Sequence, residues 1–224
     1  MSVVGKAGQY RPNTKADDLQ CRLRQSLFDG GFEPGQAISI RRIADEHDIS
    51  VIPARDALRG LVAEGVLVFK DSRTIVVPEL DKQRIRDIRF GRVNLERELA
   101  YRAFANFDAA DLAALREIDT TLDQAIETND THAYVHGNYA FHFHIYERAN
   151  SPVILRLVES LWLQYAPSMS MVCTMFGASG IAHDYHRMAL AALDCGDRDN
   201  FAAAIASDIR QGMDFIADAN IAKP

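Results

Sequence analysis

The chain has 224 residues, of which 48% are hydrophobic and 25% are charged, a composition typical of a folded protein with one or two domains. It contains no run of 18 apolar residues and no apolar core near its N-terminus, so we expect neither a membrane span nor a signal peptide. The three cysteines, Cys21, Cys173 and Cys195, are odd in number and widely separated, which favours a reduced, cytoplasmic location over a disulfide framework.

The net charge of −6 does not by itself suggest a nucleic-acid-binding protein, but the charge is unevenly distributed. Residues 1–78 carry 11 Lys or Arg and 10 Asp or Glu, a balance of +1, whereas residues 79–224 carry 14 and 21, a balance of −7. The acidity therefore lies in the C-terminal part, and the N-terminal part is weakly basic.

The chain begins with a segment, residues 1–13, that has no hydrophobic period and is predicted to be a flexible arm. An amphipathic helix is predicted over residues 14–29, because apolar side chains recur there every four positions, at Leu19, Leu23 and Leu27. The glycine-rich and proline-containing run that follows is typical of a turn.

Two more helices are predicted over residues 40–47 and 50–64. Only Asp48 and Ile49 separate them, and so tight a link between two short helices is typical of a helix-turn-helix.

The hydrophobic period then changes to that of β-strands. Residues 66–69 and 74–77 are apolar and mostly β-branched, and the polar run 70–73 lies between them, which predicts a β-hairpin. A helix-turn-helix followed by a hairpin is a winged helix. We therefore expect a winged helix-turn-helix domain over residues 14–78.

Beyond Pro78 the sequence shows no strand-like alternation, so residues 79–224 are predicted to form an all-helical domain. The predicted fold class is mainly α, a winged helix-turn-helix followed by a helical bundle. The helices are predicted at about residues 81–106, 108–128, 131–149, 151–173, 178–195 and 197–219.

The N-terminal sequence resembles the GntR family of bacterial transcription regulators. The resemblance rests on a nine-residue signature and on shorter matches around it. These matches are Pro34-Gly35, Ile43-Ala44, Ser50-Val51-Ile52-Pro53-Ala54-Arg55-Asp56-Ala57-Leu58 and Leu61-Val62-Ala63-Glu64-Gly65-Val66-Leu67.

The C-terminal sequence is similar to the FadR-type, or FCD, ligand domain of the same family. Several short matches occur in the order and at the spacing of that domain, so that the resemblance covers about residues 14–219. They are Arg92-Val93-Asn94-Leu95-Glu96, Asn138-Tyr139-Ala140-Phe141-His142, Ala149-Asn150-Ser151-Pro152, His186, Ala192-Leu193 and Gly196-Asp197.

The resemblance implies that residues 50–64 form the recognition helix. Ser50 would begin this helix, where its hydroxyl can cap backbone N–H groups and where those N–H groups can also face a phosphate. Arg55 and Arg59 share one helix face, so Arg55 can reach a base edge and Arg59 a phosphate. The alternative is that they are ordinary solvated arginines.

Further candidate DNA contacts lie on either side of the recognition helix. Arg41 and Arg42 precede the turn and are candidate phosphate or base contacts. Lys70 and Arg73 lie at the tip of the wing, where they can meet the minor groove or the backbone.

The sequence departs from the family at three positions near the DNA. Val51 replaces the usual Arg, Ile52 the usual Thr, and Thr74 the usual Gly. Loss of the Arg removes a common major-groove contact, so we expect an operator unlike the usual one or weaker binding.

In many members of the ligand-domain family, an Asp and three His hold a metal. The matching positions here are Asn138, His142, His186 and Asp208, with Asn replacing the Asp and Asp replacing the last His. Two imidazoles and one carboxylate suit Zn²⁺, Ni²⁺, Mn²⁺ or Fe²⁺. The alternative is that His142 and His186 are hydrogen-bonded core residues around an organic ligand or water.

Four further residues are candidates for effector binding. Arg92 matches an arginine that often points into the ligand cavity of the family; its alternative is an i, i+4 salt bridge with Glu96. Trp162 and Tyr165 lie on a central helix, where they would line the cavity or pack in the core. His183 would support the site or replace a ligand.

The favoured function is a ligand-responsive homodimer in which two winged helices bind the two halves of a DNA operator. The effector would be a small metabolite, such as an organic acid, whose binding changes the spacing of the DNA-binding domains. Two alternatives remain: a protein-interaction module that no longer reads DNA, and a small metal-dependent hydrolase or lyase. No general base or nucleophile at motif spacing supports the enzyme.

Overall fold

The computed structural model describes residues 14–71, 73–169, 172 and 184–221, without the side chains of residues 219–221. The described chain forms two compact units. The first runs to Leu80 and includes Glu159–Pro167; the second comprises Asp81–Val158 and the described residues from Ser168 onward. The predicted arm at residues 1–13 and the candidate His183 lie outside the described residues.

The first helix, α1, runs from Lys15 to Phe28, close to the predicted bounds. Thr14 starts it through a capping box, in which the Thr14 hydroxyl accepts from the Asp17 N–H and the Asp17 carboxylate accepts from the Thr14 N–H. Such reciprocal caps satisfy backbone donors that a helix leaves open. The leucine stripe that predicted α1 is buried in the core of this unit.

The helix-turn-helix consists of α2 (Ile40–Glu46) and α3 (Val51–Ala63). Asp48 makes the tight link with a left-handed φ of 51°, a conformation that Asp tolerates better than most residues. The N–H of Ile49 then bonds to the carbonyl of Ala44 and closes the end of α2. This geometry sets the start of α3 directly after the turn.

The wing has one strand more than predicted. Strands β2 (Val68–Phe69) and β3 (Ile75–Val76) form the predicted hairpin, and β1 (Ala37–Ile38) pairs with the other side of β3, so that all neighbours are antiparallel. At the tip, Asp71 accepts hydrogen bonds from the N–H groups of Arg73 and Thr74. Strand β1 has only two residues, which is too short to produce a recognisable period.

The remaining helices confirm the predicted mainly α fold. Their caps are chiefly aspartates, including Asp81, Asp108, Asp130 and Asp184. No helix in the described part of the chain has the length and apolarity that a membrane crossing requires. The helices are α4 (Lys82–Ala103), α5 (Ala109–Glu127), α6 (Thr131–Glu147), α7 (Pro152–Tyr165), α8 (Tyr185–Asp194) and α9 (Arg198–Ile221), with short 3-10 turns at Phe104–Asn106 and Ala166–Ser168.

The residues of α7 up to Val158 belong to the second unit, and those from Glu159 onward belong to the first. The predicted boundary assigns the whole helix to the second domain. Leu163 belongs to the hydrophobic core of the first unit. Ser160 and Gln164 donate side-chain hydrogen bonds to the Glu64 carbonyl at 3.1 and 3.4 Å. The end of α3 therefore holds the end of α7 in the first unit.

Candidate DNA-binding surface and metal centre

The outer face of α3 carries two arginines that form no salt bridge within the described part of the chain. Ala54, Ala57, Leu58 and Leu61 bury the opposite face in the core, which leaves Arg55 and Arg59 exposed together. Among the described residues neither guanidinium forms a salt bridge. Such an arrangement is suited to phosphates and base edges.

The expected role of Ser50 is only partly met. Ser50 is the N-cap of α3, but its hydroxyl makes no cap hydrogen bond, unlike that of Ser39 at the start of α2. The backbone of Ser50 is extended and its side chain is exposed. The hydroxyl is therefore not committed to capping and is available to a phosphate.

The other candidate DNA contacts differ in whether a salt bridge already holds their charged group. Arg41 is exposed and has no ion-pair partner among the described residues, whereas the Nε of Arg42 lies 2.6 Å from Oε1 of Glu46. Lys70 and Arg73 are exposed on the wing. Arg42 would have to leave an exposed salt bridge to reach DNA, which costs little.

Three of the four candidate metal ligands come together in the second unit. The ligand atoms of His142 on α6, His186 on α8 and Asp208 on α9 all lie within 4.8 Å of one another. Nε2 of His142 is 3.0 Å from one oxygen of Asp208, and Nε2 of His186 is 3.6 Å from the other. Asn138 is buried one helical turn before His142.

A chain of buried polar groups fixes the ring of His142. Tyr146 donates its hydroxyl proton to Glu96 at 2.6 Å, so its oxygen accepts from Nδ1–H of His142 at 2.9 Å. In neutral His142 this leaves the Nε2 lone pair facing the Asp208 carboxylate. Two acceptors at 3.0 Å repel unless a proton or a metal cation lies between them.

Arg92 lies at the far end of this chain of groups. Its Nε and Nη2 donate to the two oxygens of Glu96 at 2.6 and 3.3 Å, and both side chains are buried. The structure therefore contains the salt bridge that was the alternative to effector binding. The charge of Arg92 is neutralised by Glu96, which in turn holds Tyr146.

Asp119 on α5 is a functional candidate that the sequence interpretation missed. Its Oδ1 lies 3.4 Å from Nδ1 of His186, and a carboxylate behind a ligating imidazole orients the ring and raises its basicity. A signal was present: Asp111, Leu115, Asp119 and Leu122 form one buried stripe of α5. An acid on an apolar stripe indicates a buried partner.

The electrostatics of the cluster favour a bound cation. Burial alone would lower the pKa of His186, but the carboxylates of Asp208 and Asp119 raise it to about 9. Burial opposes ionisation of Asp208, yet the two imidazoles hold its pKa well below the usual range. Burial lowers the pKa of His142. Without a metal, a proton on His186 balances the carboxylates.

The donor set fits a divalent metal. Two imidazoles and a carboxylate are ligands that Zn²⁺, Ni²⁺, Mn²⁺ and Fe²⁺ accept. Nε2 of His186 is buried and has no hydrogen-bond partner among the described residues, although buried ring nitrogens are normally satisfied. Asn138 supplies a neutral oxygen close by in sequence.

Two of the remaining effector candidates, Trp162 and Tyr165, lie on α7. Trp162 and Tyr165 are buried, and their rings meet edge to face with centroids 5.4 Å apart. Both belong to the part of α7 that joins the first unit. Their described environment is that of core packing.

Comparisons with known proteins agree with this architecture. The family described as "Bacterial regulatory proteins, gntR family" matches residues 15–77, and the FCD domain matches residues 87–211. The HTH-type transcriptional regulator McbR of Escherichia coli K12 is 28% identical over 194 residues, which cover 85% of this chain and 87% of McbR. The gluconate operon transcriptional repressor of Bacillus licheniformis is 23% identical over 192 residues, covering 81% and 76%.

Solved structures show the same fold. E. coli McbR/YncC superposes with a TM-score of 0.79 at 25% identity, covering 92% of this chain and 99% of that protein. A GntR regulator from Rhodococcus sp. RHA1 superposes with a TM-score of 0.71 at 20% identity, covering 92% of this chain and 98% of that protein.

A winged helix followed by an all-helical FCD domain defines a transcription regulator, and the similar proteins are regulators, not enzymes. The chain belongs to the GntR family of bacterial regulatory proteins and carries an FCD domain.

Proposed function

We propose that this GntR-family protein is a ligand-responsive homodimer that binds a two-fold DNA operator in the cytoplasm. A divalent metal in the FCD domain would hold its effector. The observation that carries the proposal is the buried cluster of His142, His186 and Asp208, in a chain whose other unit presents an exposed arginine face.

The DNA-binding surface consists of the outer face of α3, the start of α2 and the tip of the wing. Arg55 is assigned to a base edge, because it lies in the second turn of the recognition helix. Ser50 and Arg59 are assigned to phosphates, as are Arg41 and Arg42. Lys70 and Arg73 on the wing are assigned to the adjacent groove or backbone.

The effector centre is assigned to His142, His186 and Asp208, with Asn138 as a weak fourth ligand. Tyr146 and Asp119 hold the two rings in position. A metal here would supply Lewis acidity, which attracts a carboxylate oxygen. A small organic acid is therefore the proposed class of effector.

Arg92 is proposed to act on the effector centre in two ways. It anchors Glu96, and through Glu96 and Tyr146 it sets the ring of His142. Direct contact with an effector would require Arg92 to share its guanidinium with Glu96. Trp162, Tyr165 and His183 stay candidates for effector binding on the basis of the sequence alone.

Occupation of the effector centre is proposed to change DNA affinity. An allosteric coupling of this kind is typically about 1–3 kcal/mol. A two-fold operator follows from a homodimer, since each subunit presents the same recognition helix.

The proposal is tested by duplex binding of the full-length protein over a range of salt concentrations, with Arg55→Ala as the variant. We expect affinity to fall steeply with salt and Arg55→Ala to weaken binding by about 1–3 kcal/mol. Arg22→Ala is the matched control, because Arg22 is an exposed arginine of α1 that forms a salt bridge with Asp18.

Salt-independent binding, or equal loss in both variants, would contradict DNA reading by α3. A chain that binds no duplex at any salt concentration would instead favour the protein-interaction module.

A further inference from the structure

The first turn of α3 exposes two adjacent branched apolar side chains. Ile52 is 71% exposed and Val51 39% exposed. They precede Pro53, which occupies the first turn, where a missing N–H is tolerated. Neither residue belongs to the hydrophobic core of the first unit, so folding does not account for them.

Ile52 lies on the cationic face of α3. Residues three and seven positions further along a helix point the same way, so Ile52 shares a face with Arg55 and Arg59. Leu58 and Leu61 point in the opposite direction and are fully buried. The exposed apolar pair therefore forms the N-terminal end of the surface assigned to DNA.

The chemistry of DNA offers one apolar partner to such side chains. Phosphates, sugars and most base edges in the major groove are polar, but thymine presents a C5 methyl group there. The first residues of a recognition helix are those that approach base edges. The surrounding arginines attract a polyanion rather than an apolar protein surface.

We infer that Ile52 and Val51 read thymine methyl groups in the operator major groove, which makes them specificity-determining residues. This inference rests on the proposed DNA-binding function. Arg55, three residues after Ile52, would read the neighbouring base pair. Each half-site then combines at least one thymine that is sensed by its methyl group with a purine that is sensed by hydrogen bonds.

The test removes the methyl group from the DNA and not from the protein. Full-length protein first enriches duplexes from a random library. Each thymine of the enriched duplex is then replaced singly by uracil, which pairs identically but lacks the methyl. At one or more positions in a half-site, we expect binding to weaken about fourfold, the effect of losing one buried methyl group.

The same duplexes are measured with Ile52→Ala and Val51→Ala. The ratio of affinities for thymine and uracil duplexes should fall close to one for the variant whose side chain contacts that methyl. Both residues are exposed, so the variants should fold. Phe90→Ala is the matched control, because Phe90 is 73% exposed on α4 in the other unit, and should retain the wild-type ratio.

The outcomes separate this inference from the function on which it rests. An enriched duplex that binds equally well with uracil at every position would overturn methyl reading and leave DNA binding intact. If both alanine variants keep the wild-type ratio of affinities for thymine and uracil duplexes, the assignment to Val51 and Ile52 is wrong. If both variants also bind the duplex as tightly as the wild type, the exposed pair would instead serve a protein partner. If no duplex is enriched, the proposed function fails and this inference fails with it.

Discussion

Most arginines of the proposed DNA-binding surface differ in environment from many arginines of the FCD domain, Arg42 with its salt bridge to Glu46 being an exception. Arg55, Arg59 and Arg41 are exposed with no salt bridge among the described residues. In the FCD domain many arginines face an acid, including Arg89, Arg92, Arg102, Arg116, Arg148 and Arg187. Side chains in salt bridges contribute to the fold, whereas exposed arginines without a salt bridge can bind phosphates or base edges of DNA.

The contrast explains how an acidic protein can bind DNA. The net charge of −6 includes many acids that are neutralised within the helical domain. On the proposed DNA-binding surface, DNA would experience the local field of α3 and the wing rather than the net charge of the chain.

In the centre of the FCD domain, the carboxylates of Asp208 and Asp119 lie beside the imidazoles of His142 and His186. Removing one imidazole should break the centre: we expect His142→Ala to lower metal affinity more than about 100-fold, beyond the effect of losing a supporting residue. Elemental analysis of tag-free protein measures this. His47→Ala, in the DNA-binding unit, is the control and should keep the wild-type metal content.

Protons should compete with the metal at the same centre. Because the carboxylates raise the pKa of His186 to about 9 despite its burial, the ring is protonated at neutral pH and must lose a proton to bind metal. Apparent metal affinity should therefore rise about tenfold per pH unit up to about pH 9 and then level off. The same metal affinity at about pH 6 and at about pH 8 would contradict this competition between protons and metal.

The two faces of α3 should differ as sharply in stability as they do in environment. Leu58 is fully buried in the core of the DNA-binding unit, so Leu58→Ala should cost about 2–5 kcal/mol of unfolding free energy. Ile52→Ala removes an exposed side chain and should change stability by less than about 0.5 kcal/mol. Denaturant unfolding compares them; equal losses would show that Ile52 is part of the core.

Substitution of Asp111, a buried acid of the FCD domain, should lower the unfolding free energy by less than Leu58→Ala does. Asp111 closes the capping box of α5 and accepts hydrogen bonds from Arg148 and His144. Burial raises its pKa, but Arg148 and the other donors outweigh this and lower it. Asp111→Asn should cost about 1–3 kcal/mol, whereas Asp123→Asn, in an exposed pair with Arg187, should cost less than about 1 kcal/mol.

Much of the fold could be predicted from the sequence, because its signals are local. The leucine stripe of α1, the two-residue turn before α3 and the strand-like runs of the wing each specify their own element. Aspartate caps such as Asp108 fixed helix starts to within a residue. Strand β1 was not predicted, because two residues are too few to show a hydrophobic period.

What could not be predicted depends on contacts between distant residues. Leu163 joins the first unit because of its packing, which the period of α7 does not reveal. Asp119 meets His186 across 67 positions of sequence, at 3.4 Å. The candidate ligands His142 and His186 were available only through family resemblance, since nothing in their spacing brings them together.

We propose that occupation of the metal centre in the FCD domain changes the affinity of the protein for DNA. The most direct measurement is the affinity of an enriched duplex, at fixed salt, for metal-loaded and metal-stripped full-length protein. We expect the duplex affinities of the metal-loaded and metal-stripped wild type to differ about 5–150-fold, and those of His142→Ala not to differ. Equal affinities of the loaded and stripped wild type, with the metal verified by elemental analysis, would contradict it.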